Sequence, residues 1–63
     1  MCESNAYMID KDGKEELFME NVDYVKLDGG TILLRTLFGE EKTVNGTIRE
    51  LNLSGHRIVL EGS

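Results

Sequence analysis

The chain has 63 residues, with seven basic and twelve acidic residues and a formal net charge of −5 at neutral pH. This length allows one domain, expected to span residues 1–63, and a chain this short buries only about 60% of the surface that its unfolded form exposes. The acidic balance argues against nucleic acid and anionic membranes as partners, because clustered Lys and Arg are what bind phosphates.

Small domains usually gain stability from disulfides, a metal or a partner subunit. The single cysteine excludes a disulfide within the chain, so a metal or a partner chain is expected. Residues 1–5 lack the basic segment and apolar run of a secretory signal. No apolar stretch reaches the roughly 20 residues needed to cross a bilayer. A reducing cytoplasm is the expected compartment for this lone thiol.

The first half of the chain predicts four strands separated by turns rich in glycine and aspartate. Residues 4–10 alternate between two faces, as a strand does. Residues 14–19 form a weaker second strand, because their paired glutamates also suit a helix. Residues 24–28 alternate polar and apolar side chains. Residues 31–38 are the strongest apolar run, which predicts the central strand.

The second half predicts three further strands. Residues 42–49 contain an Asn-Gly pair, which is typical of either a bulge or a tight turn. Residues 50–53 and 56–61 then predict a hairpin closed by a Ser-Gly turn. Six to seven short strands of this kind predict an all-β fold, a curled sheet or small barrel of the SH3-like or Sm-like type.

An open barrel of this size would leave edge strands with unpaired backbone groups. Pairing of these edges, or packing of apolar faces between two copies, would remove that liability. A homodimer is therefore expected on physical grounds.

Cys2 is the first candidate metal ligand. Removal of the initiator methionine would place a free α-amine beside its thiol, and the two donors can chelate a divalent metal such as nickel(II) or copper(II). In a twofold dimer, two such residues can share one ion. The alternative is a terminal thiol without a role.

His56, the single histidine, is the second candidate ligand. It follows the predicted Ser-Gly turn and should lie near the surface, where a solvated side chain is the alternative interpretation. No nucleophile–base pair, phosphate-binding loop or paired-cysteine zinc motif is present in the sequence. The protein is therefore not expected to be an enzyme.

The four aromatic residues have no interleaved basic residues, so they predict core or dimer-interface positions rather than a platform for stacking bases. These residues are Tyr7, Phe18, Tyr24 and Phe38.

Taken together, six segments make the chain resemble the CooT-like family of small nickel-binding proteins. These segments are residues 1–7, 12–17, 19–23, 38–40, 48–51 and 56–61. The resemblance extends along essentially the whole chain, and the start is the most specific part of the match.

The resemblance implies a small β-barrel homodimer that serves as an accessory factor for a nickel enzyme, of the carbon monoxide dehydrogenase type. It also implies that the cysteine after the initiator methionine, here Cys2, binds exchangeable nickel(II). A metal role for His56 is not implied by the resemblance and stays a separate hypothesis. The alternatives are a protein-interaction module with no metal role and an RNA-binding protein, a label that the family has also carried.

Overall fold

The computed structural model describes residues 3–62, and within this range it contains five strands and no helix. The strands are β1 (Ser4–Ile9), β2 (Glu15–Asp28), β3 (Thr31–Thr36), β4 (Glu41–Asn52) and β5 (Arg57–Gly62). They pair in chain order, and a parallel pairing of β1 with β5 closes the barrel. The other four pairings are antiparallel. The predicted all-β barrel is confirmed. None of residues 3–62 belongs to a helix long and apolar enough to cross a membrane.

The strands number five rather than six or seven because two pairs of predicted strands are continuous. β2 contains the predicted strand of residues 14–19, except for residue 14, together with the predicted strand of residues 24–28. Its first half pairs with β1 as far as Val22, and from Val22 onward it pairs with β3. The strand bends at Asn21, which has a φ of 60°. Asparagine tolerates this left-handed conformation better than most residues, so the strand can turn without ending.

β4 changes partner in the same way. Its residues as far as Asn45 pair with β3, and from Gly46 onward they pair with β5. The Gly46 amide donates a hydrogen bond to the Gly30 carbonyl at 3.0 Å. A Cβ at this position would overlap the carbonyl oxygen of Glu61, so only glycine fits. The Asn-Gly pair is therefore a bend inside a strand and not a hairpin turn.

The core lies between the inner faces of the bent strands. β3 pairs with β2 and β4, but because the barrel is closed every strand has two neighbours, so the predicted distinction of a central strand does not apply. The alternate residues Ile32, Leu34 and Thr36 of β3 are buried. The buried apolar cluster consists of Ala6, Met19, Val22, Ile32, Leu34, Ile58 and Leu60.

The two bends define two ends of the barrel. The Asn21 end holds the start of β1, where Ser4 pairs with Val22, together with the loop of residues 37–40 and the turn of residues 53–56. The Gly46 end holds the turns of residues 10–14 and 29–30 and the end of β5.

Candidate functional site

The two predicted metal ligands differ in what the structure says of them. Cys2 lies outside residues 3–62, the described part of the chain. His56 is described and is exposed, as predicted for a residue that follows a turn. No group of three or more His, Cys, Asp or Glu side chains within residues 3–62 is arranged to hold a metal ion.

His56 occupies a constrained backbone position. Its φ is 54°, in the left-handed region where histidine is one of the more frequent residues. The turn before it is fixed by Asn52, whose Oδ1 accepts hydrogen bonds from the Gly55 amide at 2.9 Å and the Ser54 hydroxyl at 3.1 Å. The His56 carbonyl accepts a hydrogen bond from the Asn5 amide at 2.9 Å. His56 is therefore held beside the first strand.

This hydrogen bond connects His56 to the part of the sequence that contains the cysteine. Cys2 precedes Asn5 by three residues. His56 therefore lies at the Asn21 end of the barrel, whereas Cys2 lies outside the described residues.

A second feature of this end is the loop of residues 37–40, which presents Phe38 to solvent. The side chain of Phe38 is 77% exposed. The loop is fixed by Thr36, which is 3% exposed and whose hydroxyl accepts hydrogen bonds from the Phe38 amide at 3.2 Å and the Glu40 amide at 3.1 Å. The Leu37 amide donates to the Asn21 carbonyl at 3.0 Å, which ties the loop to the bend in β2.

A third feature is an open groove of about 280 Å³ between the second half of β2 and the end of β4. Its lining residues are Ser4, Val22, Asp23, Tyr24, Val25, Leu51, Leu53 and Ile58. Leu51 and Leu53 are 54% and 72% exposed. Sequence reasoning missed this groove. The sequence feature that could have indicated an apolar surface here is the segment of residues 51–56, which has no charged residue although 30% of the chain is charged.

The remaining aromatic rings are covered by cations. Arg35 lies over Tyr24 with 4.6 Å between the guanidinium carbon and the ring centroid. Arg57 lies over Tyr7 and Lys42 over Phe18, each at 5.0 Å. These contacts occupy ring faces that a stacked base would need.

The arginines are also paired with carboxylates. Arg35 forms an ion pair with Glu41 at 2.8 Å and Arg49 with Glu61 at 3.0 Å. Arg57 pairs with Glu15 and, at 3.6 Å, with Glu50. Neutralised in this way, the arginines form no basic patch of the kind that binds phosphates.

The four aromatics, predicted as core or dimer-interface residues, divide into two pairs. Tyr7 and Phe18 are half-buried, and Phe18 packs against the buried cluster. Tyr24 and Phe38 are exposed. Phe38 is held outside the core because it lies in a loop anchored by its backbone rather than by its ring.

Comparison with known proteins assigns a family to this barrel. Residues 1–61 match the model of the family described as CO dehydrogenase accessory protein CooT. An uncharacterized protein of Methanocaldococcus jannaschii is 34% identical over 62 residues, which cover 98% of this chain and all of that protein. An uncharacterized protein of Archaeoglobus fulgidus is 34% identical over 44 residues, or 70% of this chain and 98% of that protein.

A solved structure supports the same assignment. The crystal structure of a protein named as CooT from Carboxydothermus hydrogenoformans superimposes with a TM-score of 0.87. The two chains are 40% identical, and the match covers 98% of each. With a family match over nearly the whole sequence and a fold shared at this level of identity, the chain belongs to the CooT family of CO dehydrogenase accessory proteins.

Proposed function

We propose that this protein is a nickel-binding accessory protein that carries exchangeable nickel(II) to a nickel enzyme or to its maturation machinery. The observation that carries the proposal is the family match over residues 1–61, a range that includes Cys2. In this role nickel is the cargo, and the protein is a metallochaperone rather than a catalyst. The cytoplasm, where such enzymes are assembled and thiols stay reduced, is the compartment that fits.

Cys2 is the proposed ligand. Its thiolate is a soft donor that suits nickel(II), and with Cys2 as the first residue the α-amine would complete a five-membered chelate ring. Metal and protons compete for the thiolate, so the bound ion remains exchangeable. Exchange is what a carrier needs, because it must release the metal to its recipient.

His56 is proposed as a second ligand. Support comes from the hydrogen bond between its carbonyl and the Asn5 amide, which holds the imidazole-bearing residue beside the strand that follows Cys2. An exposed imidazole is available to a divalent metal without the cost of opening a buried site.

The proposed assembly is a homodimer in which two chains share one nickel ion. Two copies supply two thiolates and two amines, a donor set that suits square-planar nickel(II). A twofold axis through the ion would make both halves of the site equivalent.

The test is a calorimetric nickel titration of protein that begins at Cys2, with absorbance followed in parallel. We expect one nickel per two chains and a thiolate-to-nickel charge-transfer band. Cys2→Ser should abolish both signals while the circular dichroism spectrum stays unchanged. A protein that retains Met1 is the matched control for the amine. Stoichiometric nickel binding by Cys2→Ser would contradict the proposal.

A second candidate function is a protein-interaction module in which the cysteine has no role. The exposed Phe38 favours it, because rigid aromatic side chains are frequent anchors of protein interfaces. Binding of CO dehydrogenase that is unchanged by Cys2→Ser and by excess chelator would support this function over metal delivery.

A further inference from the structure

We propose that Asn45 is a modification site guarded by strand pairing, which deamidates only when β4 separates from the turn of residues 29–30. The sequence contains one Asn-Gly pair, residues 45–46. Asparagine followed by glycine is especially prone to deamidation, because glycine has no side chain to hinder attack by its own nitrogen. The inference concerns the Gly46 end of the barrel and does not depend on the nickel proposal.

The reaction proceeds in two balanced steps. The Gly46 nitrogen attacks Cγ of Asn45, and its proton leaves with the side-chain NH2 group as ammonia, which gives a five-membered succinimide. Water then opens the ring at either carbonyl. One product has aspartate at this position. The other has isoaspartate, in which the backbone runs through the former side chain and is one carbon longer.

The structure exposes the group that is attacked and buries the residue that attacks. Asn45 is exposed, whereas Gly46 is buried. The Gly46 amide donates its hydrogen to the Gly30 carbonyl at 3.0 Å. Asn45 lies in β4 and pairs with Thr31, and an extended backbone holds the next nitrogen away from the side chain. Ring closure therefore requires both the loss of this hydrogen bond and a rotation of the strand backbone.

The turn of residues 29–30 controls this opening. It joins β2 to β3 and supplies the carbonyl that holds Gly46. Both of its residues are exposed glycines with positive φ, of 53° and 89°. Exposed turns open at a lower free energy than the core of a domain. The opening that permits deamidation is therefore local to this turn and does not require global unfolding.

The isoaspartate product does not fit the closed barrel. β4 changes partner between Asn45 and Gly46, and a Cβ on Gly46 would already overlap the Glu61 carbonyl. An extra backbone carbon directly before Gly46 would displace the pairing of Gly46 with Gly62 and the register that follows it. The aspartate product changes only an exposed side chain. Isoaspartate at this position thus prevents an opened barrel from closing again.

The experiment follows deamidation of Asn45 over time by peptide mapping with mass spectrometry. It compares the folded, metal-free protein with a synthetic peptide of residues 41–50. The folded protein should react at least about tenfold more slowly than the peptide. Gly29→Ala, which strains the turn that holds Gly46, should accelerate the reaction in the folded protein roughly fivefold, equivalent to about 1 kcal/mol of strain released on opening.

Gly39→Ala is the matched control. Gly39 also has a positive φ, of 92°, and nothing lies within 4 Å of the position of a Cβ, but it belongs to the loop of residues 37–40 at the other end. Opening at Gly46 does not release this strain, so the rate should equal that of the parent. Circular dichroism establishes that each variant is folded. Equal acceleration by the two variants, or equal rates in the folded protein and the peptide, would overturn the inference.

A second measurement compares the two products. Incubation in urea at mildly alkaline pH yields both, and chromatography separates them. After removal of urea, the isoaspartate form should fail to recover the circular dichroism spectrum and melting temperature of the parent. Asn45→Asp is the matched control and should melt as the parent does. An isoaspartate form with the parent's melting temperature would overturn the one-way character of the modification.

Discussion

At the Gly46 end of the barrel, backbone packs directly on backbone around Gly46, whereas the loops of the Asn21 end carry Phe38 and Leu53, the two most exposed large apolar side chains among residues 3–62. Gly46 donates to the Gly30 carbonyl and leaves no room for a Cβ against Glu61. At the other end, the hydroxyl of Thr36 holds a loop whose Phe38 ring has no place in the core.

The difference separates strand pairings that close the barrel from side chains that are exposed on its loops. The Gly46 end brings β4 from β3 to β5, and a change there would disturb two strand pairings at once. The Asn21 end also closes the barrel, but its loops present Phe38, Leu53 and His56 outward. Substitutions at the first end should therefore change stability, and those at the second should change binding.

Gly46→Ala should have the largest effect on stability. The added methyl group meets the Glu61 carbonyl, and the backbone of β5 cannot move aside as a flexible side chain can. We expect a loss of about 3 kcal/mol or more in the free energy of unfolding. A domain of this size has a total stability of roughly 3–9 kcal/mol. Thermal and urea denaturation of the metal-free protein would measure the loss.

Gly29→Ala is the matched control for this prediction. Gly29 also has a positive φ, of 53°, but nothing lies within 4 Å of the position that a Cβ would take. Its substitution should cost only about 1 kcal/mol, from backbone strain alone. Equal losses for the two variants would show that strain rather than close packing dominates, and the contrast between the two ends would fail.

Thr36→Val should have an intermediate effect. The variant removes a buried hydroxyl that accepts hydrogen bonds from the Phe38 and Glu40 amides, at a cost of about 1–3 kcal/mol. Freed of these bonds, the loop should hold Phe38 less firmly. Denaturation would measure the loss of stability, and hydrogen exchange of the two amides would measure the loosening of the loop.

Thr43→Val controls for the loss of a hydroxyl on β4, because Thr43 is exposed. It should change stability by less than about 0.5 kcal/mol and leave the exchange of the loop amides unchanged. A Thr36→Val protein that is destabilised but keeps both amides protected would show that the Phe38 loop needs no support from the hydroxyl.

Much of the fold could be predicted from the sequence, because alternation and turn residues are local signals. The apolar run of residues 31–38 predicted a strand where β3 lies, and β1 and β5 lie within a residue of their predicted bounds. Two strand boundaries predicted between residues 19 and 24 and between residues 49 and 50 do not exist. A bend inside a continuous strand, as at Asn21 and Gly46, depends on which strand each half of it pairs with. Strand pairing is a tertiary property, so the local sequence does not predict it.

The site was less predictable for a related reason. Residue chemistry identified Cys2 and His56 as candidate ligands. The hydrogen bond between Asn5 and His56 could not be predicted without knowing that β1 pairs in parallel with β5. Phe38 was predicted, by its type, to be a core or dimer-interface residue. Its exposure follows from Thr36, whose short polar side chain holds the loop backbone at the surface. The local sequence of residues 37–38 is equally compatible with the end of an apolar strand, so it does not predict this loop.

His56→Asn should have the smallest effect on stability and the most selective effect on binding. Asparagine tolerates a φ near 54°, so the turn and the bond from the Asn5 amide should persist and the free energy of unfolding should change by less than about 0.5 kcal/mol. The nickel dissociation constant should rise roughly tenfold, or about 1.4 kcal/mol, through loss of the imidazole donor. Parallel calorimetric titrations of His56→Asn and the parent would measure it. An unchanged dissociation constant would remove His56 from the proposed ligand set and leave the thiolate and α-amine of Cys2 as the proposed nickel donors.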